Sequence, residues 1–347
     1  GARDGRWLMQ VLSVSGVCQH GRQTATSQGN AMSVMFGCAG RACNRRGRGF
    51  RFTMGLVACL GSLVLGTAPA RAADTVSAPA GELVLTDARL FHAAPRQPQN
   101  VWTDVAKDGS RETVSLKAAD GVTLRGWFYP ARHPDAPYVV TFHGNNEIIG
   151  DAYTQARDGF LYAQLDLNLI TFDYRGTGFS DGAISLEYAR ADALAIYDFA
   201  MKKAAGRPVF VVGWSLVFAS HVAGSRPSVA GLVLLDPMSS ADALAADVGK
   251  ELHTHVVIPA EVAKGIRNTV ELRNYRQPLL VVHGTADEVV PIDQGRADFA
   301  AAGSTDKIFV PVAGKNHVGA IWSVDADDAI AAFFARYASA EKGDRGN

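Results

Sequence analysis

From Gly81 onward, apolar residues recur in short runs, separated by longer stretches in which they return every three or four positions. The short runs predict strands over Thr113–Lys117, Val122–Tyr129, Tyr138–Phe142, Leu167–Phe172, Val209–Val212, Gly231–Leu235, Leu279–Val282 and Lys307–Val310. The later runs are almost unbroken, as in Pro278-Leu-Leu-Val-Val-His283, the pattern of strands buried on both faces of a parallel sheet. The earlier ones are rich in Thr and alternate in character, which places them at an antiparallel edge. Helix-length segments lie between, including Ala189–Ala205, Gln294–Ala302 and Val324–Tyr337. The last of these sets Ile330, Phe333 and Phe334 on one face, the spacing of a helix packed on a sheet. This alternation predicts a doubly wound α/β domain over residues 81–347, built on a mostly parallel eight-stranded sheet. Between Pro237 and Gln277 no strand is predicted, yet the length exceeds an ordinary connection. Residues 238–277 are therefore expected to form a small helical cap, whose Leu252, Val256, Ile258 and Val262 point to a modest apolar acyl or alcohol group as ligand.

The first eighty residues follow another pattern. Arg41, Arg45, Arg46, Arg48 and Arg51 lead, with no acidic residue among them, into an apolar stretch from Met54 to Gly66 and then Ala70-Arg71-Ala72. A basic region, a short apolar core and a small-x-small site are the parts of a secretory signal. The core at about 54–66 falls short of the ~20 residues needed to span a bilayer. Cleavage is expected near Ala72, with export to the periplasm or beyond and no stable membrane span afterwards; an uncleaved anchor is the alternative. Residues before Met32 lack periodicity, so 1–72 reads as an N-terminal extension and signal peptide.

Composition narrows the chemistry. Lys and Arg together number 34, as do Asp and Glu, and nothing in that balance points to nucleic acid or an anionic membrane as partner. All four cysteines (Cys18, Cys38, Cys43 and Cys59) lie in the first sixty residues. The predicted domain therefore has no disulfide, thiol nucleophile or cysteine metal site, and its chemistry must run on oxygen and nitrogen. His253 and His255 alone are too few ligands to define a metal site, so no metal is assigned, and no cofactor is expected.

The strongest local signal is Val209-Phe-Val-Val-Gly-Trp-Ser-Leu-Val217, a buried strand running into Gly-x-Ser. In a nucleophile elbow the serine sits on a sharp strand-to-helix turn, its hydroxyl raised above the sheet and the next backbone N–H aimed at the oxyanion. Gly213 allows close packing beneath Ser215. The usual pattern has a small residue two positions after the serine; here it is Val217, whose β-branched side chain is expected to crowd the helix start and strain the turn. A serine needs a base, and the base an orienting carboxylate. Asp287 follows the strand ending at His283, and His317 follows the final strand, so both occupy loops at carboxyl ends of strands, where open parallel sheets gather their sites. Asp236 also ends a strand and competes with Asp287. His143, His283, Asp173 and Arg175 read as loop-organising residues. Trp214 and Phe218 flank the nucleophile and are the candidate substrate-pocket residues.

With these motifs, His143-Gly-Asn145, Asp173-Tyr-Arg-Gly-Thr-Gly-Phe-Ser180, Gly213-Trp-Ser215, His283-Gly-Thr-Ala-Asp287 and His317, the chain resembles the α/β-hydrolase family from about Leu116 to Tyr337, in particular its small serine esterases and peptidase-like hydrolases. The resemblance implies that family's sheet with a cap, the chain order Ser, Asp, His, and an oxyanion hole of backbone N–H groups at Asn145 and Leu216. It implies a metal-free serine hydrolase acting on a small-molecule ester, thioester or amide through an acyl-enzyme on Ser215. The competing expectation, motivated by Val217, is a non-catalytic protein of the same fold with an impaired elbow that binds a ligand or partner through the cap.

Overall fold

In the computed structural model, which describes residues 82–91, 97–104 and 110–338, the short apolar runs become strands. The expected signal segment, the extension before it and all four cysteines lie outside the described residues. The strands are β1 (Glu82–Val84), β2 (Glu112–Lys117), β3 (Thr123–Tyr129), β4 (Tyr138–Phe142), β5 (Asn168–Phe172), β6 (Val209–Trp214), β7 (Val229–Leu235), β8 (His255–Val257), β9 (Leu279–Gly284) and β10 (Lys307–Val312). Eight of them form one sheet in the order β10-β9-β7-β6-β4-β5-β3-β2. Pairing is parallel from β10 through to β5, and β3 and β2 close one edge antiparallel.

The middle strands are buried along their whole length because both faces are covered. The period of two shows where each residue goes. Val209 and Val211 of β6 point into one core, while Phe210, Val212 and Trp214 point into the other. Helix α2 (Leu186–Ala204) covers the first face with Ala189, Ala193, Ile196, Tyr197 and Ala200, and starts at Ser185, whose hydroxyl accepts the Tyr188 N–H. Helix α3 (Phe218–Ser225) follows β6 on the same side; of the other helices, α1 spans Ala152–Gly159 and α5 spans Ile292–Ala301. The second face is covered by α7 (Val324–Tyr337), with Ile330, Phe333 and Phe334 inward as its spacing predicts; Phe334 packs on Phe210 at 5.1 Å between ring centroids. Each of these phenylalanines removes enough apolar surface from water to contribute about 2–3 kcal/mol.

Between β7 and β9 the chain forms α4 (Ala241–Leu252), β8 and two short helical turns, Ala260–Ala263 and Asn268–Glu271. The sequence predicted no strand here. The structure corrects that: β8 pairs in parallel with β1, Leu83 opposite Val256. A three-residue strand whose partner lies 173 positions away leaves no periodic signal of its own. The root of this insertion is fixed by Arg190 of α2, which donates to the Gly265 carbonyl at 3.0 Å and pairs with Glu271, itself close to His221 of α3. Among the described residues no helix is long and apolar enough to cross a membrane.

Candidate active site

Strand β6 delivers Ser215 with φ +65°, a conformation that costs a non-glycine residue of order 1–3 kcal/mol and persists only where its surroundings enforce it. The enforcement is visible. The Ser215 N–H donates to the Leu235 carbonyl at 2.9 Å, and its own carbonyl accepts the Met238 N–H at 3.1 Å. Beneath it, a Cβ on Gly213 would lie 2.4 Å from Cβ of Ala219, so glycine is required for α3 to approach the strand. Val217 does not strain this turn. It has an ordinary right-handed φ of −92° at the start of α3, and its side chain is fully buried in the core that α2 and α3 cover. The close approach falls on Gly213 and Ala219 instead, which is why a valine is accommodated two positions after the serine.

The three residues predicted from separate loops come together. His317, the first residue of α6 (His317–Ile321), sets Nε2 3.1 Å from Ser215 Oγ and Nδ1 2.6 Å from Asp287 Oδ2. The Asp287 loop is held by its own carboxylate: Oδ1 accepts the N–H groups of Val289 and Val290, each at 2.9 Å. Asp236, the competing acid, is spent elsewhere, accepting the Gly284 N–H at 2.8 Å. His283 donates from Nε2 to the Val290 carbonyl at 2.8 Å, and His143 from Nδ1 to the Gly144 carbonyl at 3.1 Å. Asp173 accepts the N–H groups of Ile149 and Phe179. Asp236, His283 and Asp287 cluster as metal ligands might, but the imidazole nitrogen facing the carboxylates carries the proton given to Val290 and offers no lone pair.

No family model matches the chain. An uncharacterized protein of Mycobacterium tuberculosis is 29% identical over 209 residues, covering 59% of this chain and 71% of that protein. Alpha/beta hydrolase domain-containing protein 17B of Xenopus tropicalis is 27% identical over 190 residues, 53% of this chain and 62% of the relative. Among solved structures, an esterase of Pyrococcus furiosus has the same fold, with a TM-score of 0.58 and 17% identity over 72% of this chain and 98% of its own. The chain has the α/β-hydrolase fold and is similar to proteins named for an alpha/beta hydrolase domain.

At this site, burial would push the Asp287 carboxyl up, but hydrogen bonds from His283 and His317 outweigh it and bring its pKa down to about 2. Burial alone would likewise lower the His317 imidazole; the hydrogen bond and charge of Asp287 reverse this and raise it. A base must be neutral to accept a proton. The acid limb of kcat/KM is therefore expected at a midpoint above the usual imidazole value of about 6.5, with activity lost below it. A pH profile on an ester substrate checks this, and a midpoint at lower pH would contradict it.

Two expectations at the site are corrected. The Leu216 N–H does not point outward; φ +65° at Ser215 closes a three-residue turn in which that N–H donates to the Trp214 carbonyl at 2.7 Å. Trp214 does not line the pocket either. Its side chain points to the opposite core, with the indole N–H donating to Glu147 Oε2 at 2.7 Å. Phe218 does line a small crevice, open to solvent, together with Asn145, Leu216, Tyr174, Leu186 and Phe91. None of the cap residues Leu252, Val256, Ile258 and Val262 is among its described walls; they pack on the core instead. Sequence reasoning missed Glu147, whose Oε2 also accepts the Gly144 N–H at 2.8 Å and so ties the Asn145 loop to the residue preceding the nucleophile. The one signal available was a lone carboxylate four positions after His143.

Proposed function

We propose that this protein is a serine hydrolase that cleaves a carboxylic ester, thioester or amide through an acyl-enzyme on Ser215. The observation that carries the reading is the continuous relay Asp287–His317–Ser215, at 2.6 and 3.1 Å. Ionised Asp287 accepts a hydrogen bond from Nδ1–H, holding the tautomer that leaves the Nε2 lone pair facing the serine hydroxyl. Ser215 Oγ attacks the carbonyl carbon as its proton passes to His317 Nε2. The carbonyl oxygen, now negative, is received by the backbone N–H of Asn145, a donor worth several kcal/mol of barrier. His317 returns the proton to the leaving group. Water, deprotonated by the same base, then releases the acid. That the Pyrococcus protein of similar fold is an esterase favours carboxylic esters as the first substrates to try.

A fluorophosphonate probe tests the reading without a known substrate. Wild type is expected to label at Ser215, Ser215→Ala not at all, and His317→Ala at least about 10⁴-fold more slowly. A folded wild type that stays unlabelled would sink the proposal and leave the binding-protein reading, in which the turned-in Leu216 N–H is a permanent feature of an inactive elbow.

A further inference from the structure

We propose that the segment Glu82–Phe91 is the specificity wall of this site, and that the Phe91 ring limits the length of an uncharged, apolar acyl chain; the proposal rests on the serine-hydrolase reading. The segment precedes every recognised motif, yet it is fastened at three separate places. At its start β1 pairs with β8 of the insertion, and the Leu85 N–H extends the ladder to the Val257 carbonyl at 2.8 Å. In its middle Asp87 Oδ2 accepts the Leu186 N–H at 3.2 Å, at the first turn of α2. At its end the Leu90 carbonyl accepts the Asn145 side-chain amide at 2.8 Å. Phe91 follows, 5% exposed, and forms part of the crevice wall with Leu186, Leu216 and Phe218.

The chemistry assigns the crevice to the acyl side. The leaving group takes its proton from His317 Nε2 and must lie on that side of Ser215. The crevice is walled by Phe91, by the loop at Gly144–Glu147, by residues between Tyr174 and Ala189, and by Leu216 and Phe218; its described walls include no residue of the loops bearing Asp287 and His317. An acyl substituent pointing away from the base enters it. The walls hold no cationic side chain, and the one acidic group, Glu147, is turned to Trp214 and Gly144 through Oε2, so nothing there would compensate a charged acyl group. Because the segment is anchored at both ends, its phenylalanine is a fixed stop rather than a loose flap.

The test compares p-nitrophenyl acetate, butyrate, octanoate and dodecanoate on the full chain and on Phe91→Leu, Phe91→Ala and Phe91→Trp, with fluorophosphonate labelling of each variant. Phe91→Ala is expected to raise the octanoate-to-acetate ratio of kcat/KM about ten-fold or more, since each methylene admitted or refused in such a pocket is worth roughly that factor. Phe91→Leu should raise it less, and Phe91→Trp should lower it. Should Phe91→Ala fail to fold, the opposite shifts of the leucine and tryptophan variants carry the test. Variants that label at the wild-type rate with unchanged chain-length ratios would overturn the proposal. A wild type that neither labels nor turns over any ester would overturn the serine-hydrolase reading beneath it.

Discussion

Asp287→Asn is expected to lower kcat by about 10³–10⁴-fold while KM stays within a few-fold. The carboxylate is bonded on both oxygens: Oδ2 meets His317 Nδ1 at 2.6 Å, and Oδ1 accepts from Val289 and Val290. An amide that keeps the loop contacts on its oxygen must present NH₂ to His317. Nδ1 would then have to accept, and the ring proton would move to Nε2, the nitrogen 3.1 Å from Ser215 Oγ. A base already carrying its proton on that side cannot take another. The flipped amide fares no better, because its NH₂ then opposes the two backbone N–H groups. Substrate contacts are untouched in either case, so the loss falls on kcat. Asp236→Asn is the control, since that carboxylate holds the Gly284 N–H. If Asp236→Asn proved the more damaging of the two, Asp236 would be the orienting acid and the assignment would be wrong.

The second large effect concerns the elbow. Gly213→Ala is expected to destabilise the fold by about 1–3 kcal/mol and to lower turnover about 100-fold. Its Cβ would meet Cβ of Ala219 at 2.4 Å, a separation that forces α3 away from β6 and displaces the serine held between them. Val217→Gly is expected to behave differently. It removes a fully buried side chain and adds a flexible backbone unit, costing about 2–3 kcal/mol, without any gain in turnover. Urea denaturation paired with esterase assays separates the two. A rise in turnover for Val217→Gly would mean that valine strains the elbow after all, and an unaffected Gly213→Ala would show that the close packing beneath Ser215 is dispensable.

The central strands were legible because a strand covered on both faces is apolar along its length, and their short, β-branched runs set them apart from the longer helical segments. Helix α7 was legible from Ile330, Phe333 and Phe334, which mark its buried face; the structure adds the Ser323 hydroxyl that starts it by accepting the Ala326 N–H. Strand ends placed Ser215, Asp287 and His317 on one edge of the sheet, where the loops after parallel neighbours emerge, but Asp236 ends a strand too, and only the family resemblance preferred Asp287 to it.

What the tertiary structure decided was direction and long-range pairing. Trp214 alternates to the far side of β6 from the crevice, a fact that needs the register of the whole sheet. Val217 is harmless because its side chain enters the core, which only the placement of α3 reveals. Which of Asp236 and Asp287 serves His317 depends on a third residue, Gly284, taking the former. The pairing of β1 with β8, and with it the arrival of Phe91 at the crevice, joins segments too short to carry a pattern. Periodicity records what one element buries against its own neighbours. It holds no information about which distant backbone supplies a hydrogen bond or a wall, because that choice is made only when the packed elements bring their unpaired groups together.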